Sequence, residues 1–418
     1  MTKRLILAFV FLSWHLVACS NGDSGISSGL PDKPSAEEDS PGTETISEEM
    51  RVKITGEDLY ISAKLDAKTD ILYWFKKCMF NELFTFYRVG TIDNNMPTPA
   101  TLPDASPTSL LNLAYSDNIG PFNITGYGWC GGNHPYLDEV TQTARNIGYR
   151  IYIDGKEIKT DLSTLTKEIK IEVINEIMNP SKADTSSGKT LLNEILCIET
   201  VNYSIYRNNI QVLVTHEFQN ESPVTVQMYY GMQSMFDKET HTLTANGKYV
   251  DWTVQKDVST FTKKEYPSFR RFIEKSANAY QSSYLFADGL GNHEEISDDD
   301  IIFIGNSSNK TYHKIIADRE HKKGDIIHWS GVYTWFKSPV SDDDDLLCYE
   351  GVIDNKKVLF IDCKKSVDRT IQLPVDYTKK SFTIIEKSKS ITITGNKVTA
   401  KGLKIVSDGS GSCVITFD

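Results

Sequence analysis

The sequence predicts an all-β protein: a large antiparallel β-sandwich followed by a small C-terminal β-sandwich. Three observations carry this expectation. From Arg51 onward, apolar residues recur with a period of two, supplied by Val, Ile, Tyr, Phe and Thr between turn residues. The 418 residues are 39% hydrophobic, with 20 Tyr, 18 Phe and 6 Trp, enough apolar area for two or three packed domains and too much for a disordered chain. No fixed-period repeat runs through the chain, which argues against a solenoid or propeller.

Lys3 and Arg4 precede the apolar run Leu5 to Leu12 and the tetrad Leu16-Val17-Ala18-Cys19, so residues 1–18 read as a secretory signal. Ser13 and His15 interrupt the run, which is shorter than the roughly 18 to 20 apolar residues of a spanning helix. The tetrad resembles a bacterial lipobox. That resemblance implies cleavage before Cys19 and acyl chains on Cys19, several of which make a stable anchor. The alternative is an ordinary signal peptide with an incidental Cys19. Ser20 is similar to the following residue of lipoproteins sent to the outer membrane, where a lipid-anchored, surface location is expected.

Residues 19–50 form an acidic, flexible tether of Ser, Gly, Pro, Asp and Glu, with eight acids against Lys33 between Ser20 and Met50. Much of the net charge of −11 therefore belongs to the tether, and no global positive field exists to attract nucleic acid. Residues 51–340 are expected to form the sandwich body. Ile210, Val212, Val214, His216 and Phe218 share one strand face, and Val224, Val226, Met228, Tyr230 and Met232 follow a turn near Asn220 to Pro223, the pattern of a long hairpin. Tyr203 to Tyr206 leads into it through Arg207-Asn208-Asn209. An Asn246-Gly247 turn marks a second hairpin between Leu243 and Val250. Ser268 to Ala279, with Phe269, Phe272, Ile273 and Ala277, has the spacing of one short helix.

Pro339 and the run Asp342 to Asp345 mark a boundary, with residues 341–418 as the small domain. Its strands are expected at Lys357 to Asp362, Ser381 to Ile385, Ser390 to Thr394 and Cys413 to Phe417. The acidic run lacks the ordered alternation of a calcium loop and reads as a solvated turn. Beyond Cys19 the cysteines are Cys78, Cys130, Cys197, Cys348, Cys363 and Cys413. None has the C-x-x-C spacing of a zinc or redox site, and they read as mostly buried thiols, with a Cys348 to Cys363 bridge allowed.

The segment Gly126 to Tyr136 is the leading site. Its glycines and proline bracket Trp129, Asn133, His134 and Tyr136, a composition suited to a backbone bent closely around a ligand. Trp and Tyr offer flat apolar faces to sugar rings, His134 can exchange a proton near neutrality, and Arg145 and Arg150 follow on the next strand. The alternative is a Gly-rich turn with Trp129 in the core and His134 capping the backbone. His216 is the second candidate, because an imidazole on an apolar strand face needs a partner: substrate in an open groove, or Tyr230 or Gln233 in a closed sandwich. Trp329 and Trp335 lie in an aromatic alternating strand that serves either as sugar platform or as packed core. His293 reads as loop, and His241, His313 and His321 show no partner in sequence. No H-E-x-x-H, P-loop or G-x-S-x-G pattern is present.

Lipobox, acidic tether, aromatic β body and small terminal β unit together resemble surface lipoproteins that process polysaccharides. The long hairpins and the histidine on a strand face give Arg51 to Val340 an architectural resemblance to the galactose-mutarotase-like supersandwich of several polysaccharide lyases. That resemblance implies cleavage of uronic-acid-containing glycans by β-elimination without a cofactor or metal. Asn133 and Arg145 would hold the carboxylate, His134 or His216 would be the base, and Tyr136 or Tyr230 the acid. Gln233 and Trp129 would line the substrate path, with Trp329 and Trp335 as further platforms. The partners expected are polysaccharide, a membrane through Cys19, and neighbouring glycan-uptake proteins. The alternative is a non-catalytic glycan-binding or adhesive lipoprotein, and a third reading is a structural surface protein without a glycan ligand.

Overall fold

Strand pairing satisfies the period of two almost everywhere. The computed structural model describes residues 46–417 apart from 79, 103–106, 113–118, 236–240, 245–246, 252–257, 262–270, 287–300 and 305–309. The signal segment, Cys19, the tether up to residue 45, Asn246, residues 268–270 and His293 lie outside the described residues. Among the described residues there is no α-helix, only the 3-10 turns Pro180–Lys182 and Val375–Tyr377, and the fold is an all-β sandwich.

A ten-stranded antiparallel sheet forms the middle layer. Its central neighbours are, in order, Tyr280–Leu285, Ile326–Phe336, Asn209–Phe218, Ile195–Tyr206, Ile169–Met178 and Ala144–Ile153. Two six-stranded sheets share one of its faces and one continuous core. The first contains the meander Met50–Thr55, Asp58–Lys64, Thr69–Cys78 and Leu83–Asp93. It sets Tyr73 against Trp335 (5.3 Å) and Phe86 against Tyr333 (5.5 Å). The second contains Lys310–His321, Val224–Met235, Pro121–Ile124 and Gly128–Gly131. It places Tyr229 where its hydroxyl accepts from Trp329 Nε1 at 2.8 Å.

The other face of the ten-stranded sheet is covered at one end by the C-terminal five-stranded sheet, which stacks Tyr349 on Phe336 (4.3 Å) and Phe360 near Tyr284 (5.5 Å). Strand Tyr280–Leu285 is accordingly buried at every residue. A three-stranded sheet closes a separate core of Leu346, Cys348, Ile361, Ile405 and Ile415. The six described cysteines are buried and unbridged, Cys348 and Cys363 included.

Two expectations are corrected. The alternating faces of Asn209–Phe218 and Val224–Met235 do not pair as a hairpin, for the strands belong to different sheets. The segment 219–223 carries the chain across the core, with Asn220 Nδ2 donating to the carbonyls of Ser222 (2.8 Å) and His321 (3.1 Å). The inward faces of the two strands therefore oppose each other, with Tyr229 and not Tyr230 on the inward face of the second beyond the register shift at Val226 and Met228. The true hairpin joins Ile195–Tyr206 to Asn209–Phe218, with Arg207 at φ 50° in its turn. The expected helix is replaced by strand Arg271–Lys275, paired with Tyr280–Leu285 and His241–Leu243. Phe272 enters the main core and Ile273 the core beneath the C-terminal sheet, so consecutive apolar residues serve a strand covered on both faces.

The covered end carries charge. Arg271 (0% exposed) pairs with Asp362 (1%) between the middle layer and the C-terminal sheet. Asp342 accepts from Lys275 (2.8 Å), Lys364 (2.8 Å) and Tyr280 (2.7 Å). Against the opposing effect of burial, these bonds hold its carboxyl at about 2. Asp343 and Asp345 meet Arg369 and Lys365, so the acidic run forms an ion-pair network, and no group of three His, Cys, Asp or Glu among the described residues is arranged to hold a metal. Asp362→Ala leaves the Arg271 guanidinium buried without its counter-charge and is expected to cost about 3 to 5 kcal/mol in denaturant unfolding, whereas Arg271→Met with Asp362→Leu recovers most of that loss.

Candidate functional site

The glycine-bracketed segment builds an outward-facing row of aromatic rings. Strands Pro121–Ile124 and Gly128–Gly131 form a hairpin whose turn uses Gly126 (φ 81°) and Gly128 (φ 84°). Phe122 and Cys130 point into the core at 0% exposure, so the paired neighbours Asn123 and Trp129 point outward. Gly120 lets this hairpin approach the next strand: a Cβ there would stand 1.5 Å from the Tyr230 carbonyl oxygen. Tyr229 is fully buried and Tyr230, next along the strand, takes the opposite face; the register shift beside them leaves Ile315 of the neighbouring strand as the extra residue, which puts Tyr312 on the Tyr230 face.

Trp129 consequently lies 5.8 Å from Tyr230 with planes 23° apart, and 6.2 Å from Tyr136 with planes 29° apart. Tyr230 continues the row to Tyr312 at 4.5 Å and 26°. Atoms of stacked rings touch at roughly 3.5 to 4.0 Å. The longer centroid spacings around Trp129 mean laterally displaced rings, a stepped surface with part of each face uncovered. Trp129, His134 and Tyr136 are half-buried, while Tyr230 and Tyr312 are 7% and 8% exposed. His134 stands edge-on to Tyr136 at 5.6 Å, and Tyr127 projects at the rim.

Asn133 turns the other way. Its amide approaches Cys78 Sγ at 3.9 Å, and with Asn175, Glu199 and Tyr203 it lines a buried cavity of about 20 Å³, room for one water. Glu199 on the far side accepts from Asn175 Nδ2 (2.9 Å) and contacts His216 Nε2 (2.9 Å). Phe122 and Tyr229 wall the His216 ring at 4.9 and 5.0 Å, and the residue is fully buried.

The open groove that would have given His216 a substrate partner is thereby corrected. His216 is sealed in the sandwich with Glu199 as partner, in place of Tyr230 or Gln233. Trp329 and Trp335 are also at 0% exposure, their indoles donating to Tyr229 and to Gln281 Oε1 (3.0 Å), so neither presents a face to a sugar. Gln233 is 3% exposed, and its carbonyl accepts from Tyr333. Arg145 pairs with Glu176. Asn175 and Ile177 on the same strand face inward, so this pair occupies the outer face of the middle sheet, away from the aromatic row.

The structure thus brings Trp129, His134, Tyr136 and Tyr230 together and separates them from His216, Arg145, Gln233, Trp329 and Trp335. Sequence reasoning missed Tyr312, whose signal was the alternation in Lys310–His321 that turns Thr311 and His313 inward. It also missed Glu199, a lone acid in an apolar run, and Glu274, whose carboxyl is pushed well above the usual range by burial, against bonds from Thr311 and its own backbone N–H.

No protein-family model matches the chain, and no curated protein is similar to it in sequence. In strand layout it is similar to an α-galactosidase of glycoside hydrolase family 36 from Geobacillus stearothermophilus, at 9% identity over 69% of this chain and 41% of that one, with a TM-score of 0.39. The galactosidase domain of an α-galactosidase-sucrose kinase gives 9% identity, 68% and 41% coverage and a TM-score of 0.38. A polysaccharide lyase gives 7%, 82% and 45%, with a TM-score of 0.26. The chain spans about two fifths of the length of those galactosidases.

His321 supplies a pH test of the interior. Its ring lies flat on Phe218 (4.3 Å, 6°), and burial lowers its pKa from 6.5 to about 4. The folded state therefore prefers the neutral ring: the stability it allows is complete above pH 6.5 and is lost as pH falls towards 4. His321→Phe, which keeps the stacking, should gain on the wild type by up to about 3 kcal/mol across that window in unfolding measurements and match its pH dependence above it.

Proposed function

We propose that the protein is a lipid-anchored lipoprotein of the outer membrane that binds polysaccharide along the row Tyr136, Trp129, Tyr230 and Tyr312. The row is the observation that carries this reading: four rings whose neighbouring planes differ by 23° to 29°, three on one outward sheet face and Tyr136 on the adjoining loop, with the half-buried Trp129 and Tyr136 offering apolar faces and polar edges to sugar rings. Anchoring rests on the lipobox-like Leu16 to Cys19, and the acidic tether of residues 19–50 would hold the sandwich clear of the membrane.

A second reading is β-elimination of a uronic-acid polymer with His134 as base and Tyr136 as acid, supported by their contact at the end of the row. It requires a group that neutralises the substrate carboxylate. Arg145 faces away and Asn133 faces the buried cavity, so binding without turnover is the better-supported function. Native gels cast with a panel of neutral and uronic-acid polysaccharides separate the readings. The wild type should be retarded by at least one neutral polymer, and Trp129→Ala should weaken that retardation about tenfold, the contribution of one aromatic anchor. Unchanged migration of Trp129→Ala would remove the row as the binding site. An unsaturated, ultraviolet-absorbing product that appears with the wild type and disappears with His134→Ala would establish the lyase.

A further inference from the structure

We propose that the outer face of the first six-stranded sheet is a second binding site, for an acidic sugar unit, centred on Trp74 with Lys76 and Arg88 as the anion-recognising groups. It lies on a different sheet from the row above and does not depend on it. Tyr73 and Phe75 are fully buried against the middle sheet, so Trp74 between them faces outward. Tyr60 on the neighbouring strand lies 5.3 Å from the indole with planes 27° apart, and Tyr87 on the other side meets it edge-on at 5.0 Å. Trp74 Nε1 donates to Asp58 Oδ1 at 2.8 Å, which fixes the ring's orientation and engages the acid that touches the cluster.

A bulge assembles the charged part. Trp74 pairs with Arg88 while Phe75 pairs with Phe86, so Tyr87 is the extra residue and both Tyr87 and Arg88 border one indole. The Arg88 guanidinium lies 4.9 Å from the Tyr87 centroid and 5.8 Å from that of Trp74. Lys76 Nζ lies 4.3 and 4.6 Å from the same rings. All five side chains are half-buried.

Among the described residues neither Lys76 nor Arg88 has a carboxylate partner. The adjacent Lys77 has Glu57 at 2.9 Å, and Lys64 in the same sheet has Asp70 at 2.9 Å. Arg88 Nε has no hydrogen-bond acceptor, and Nη2 reaches only the Tyr87 hydroxyl at 3.3 Å. Two uncompensated cations held over aromatic rings in a protein of net charge −11 form a local surface complementary to one kind of ligand. That ligand has an apolar C–H face to lie on the rings and an anionic group to meet a guanidinium and an ammonium, as a uronic acid or a sulfated sugar does.

The test is affinity electrophoresis of the full chain in gels containing polygalacturonate, dextran sulfate or uncharged dextran, with Trp74→Ala, the pair Lys76→Gln and Arg88→Gln, and Trp129→Ala. The proposal expects retardation by polygalacturonate if the anion is a carboxylate, or by dextran sulfate if it is a sulfate, and less by dextran. It expects about tenfold weaker binding in Trp74→Ala and in the charge pair, each with an unchanged unfolding midpoint, and retained polyanion binding in Trp129→Ala. Wild-type binding by both Trp74→Ala and the charge pair overturns it, even where Trp129→Ala fails and the row keeps its role. Displacement by poly-glutamate as effective as by the sugar polymer overturns the sugar as ligand, and absence of retardation by either polyanion overturns the site altogether.

Discussion

The middle sheet has large aromatic residues on both faces and must be covered on both. Strand Ile326–Phe336 alone turns Trp329, Tyr333 and Trp335 to one side and Val332 and Phe336 to the other. Each such aromatic buries roughly 150 to 250 Å², and at about 25 cal/mol per Å² exposing several of them would exceed the margin by which domains are folded. Two six-stranded sheets cover one face and the C-terminal sheet covers one end of the other. Several polar groups caught between layers are paired, as Glu199 is with His216, Tyr229 with Trp329 and Arg271 with Asp362. The same covering that stabilises the sheet removes His216, Trp329 and Trp335 from any ligand.

Much of the strand layout was legible because a sheet covered on one side leaves a period of two. The turn at Arg207 and the small C-terminal strands follow from that signal and from turn residues. Where covering is two-sided the signal vanishes, and Phe272-Ile273 imitates a helix. An arch between layers and a hairpin within one layer share a pattern as well, since both place two alternating faces around a short polar link. Asn220 distinguishes them only through its bonds across to Ser222 and His321, partners that the linear sequence does not reveal.

The site was legible in part for the same reason. The glycines at 126, 128 and 131 correctly marked a tightly bent segment, each with a positive φ, and Trp129 and Tyr136 do come together. Gly120, which admits Tyr230 to the row, carried no signal without knowledge of its neighbour. His216 was noticed because an imidazole on an apolar face is costly, but its compensation lay one strand away in Glu199. Cross-strand partners are set by register against a particular neighbouring strand, and the local alternation does not say which strand that is.

The two proposed ligand surfaces are outer faces of the covering sheets, and on both of them a strand irregularity brings rings together: the extra Ile315 beside Tyr230 and Tyr312 on one, the extra Tyr87 on the other. The most direct measurement is indole N–H NMR of the full chain titrated with the polysaccharide that retards it. Signals of the outward indoles of Trp129 or Trp74 should move with ligand, while those of Trp329 and Trp335 stay fixed and slow to exchange with deuterium. Ligand-dependent shifts confined to Trp329 or Trp335, or rapid exchange at either, would contradict the sealed sandwich and return the binding site to its interior.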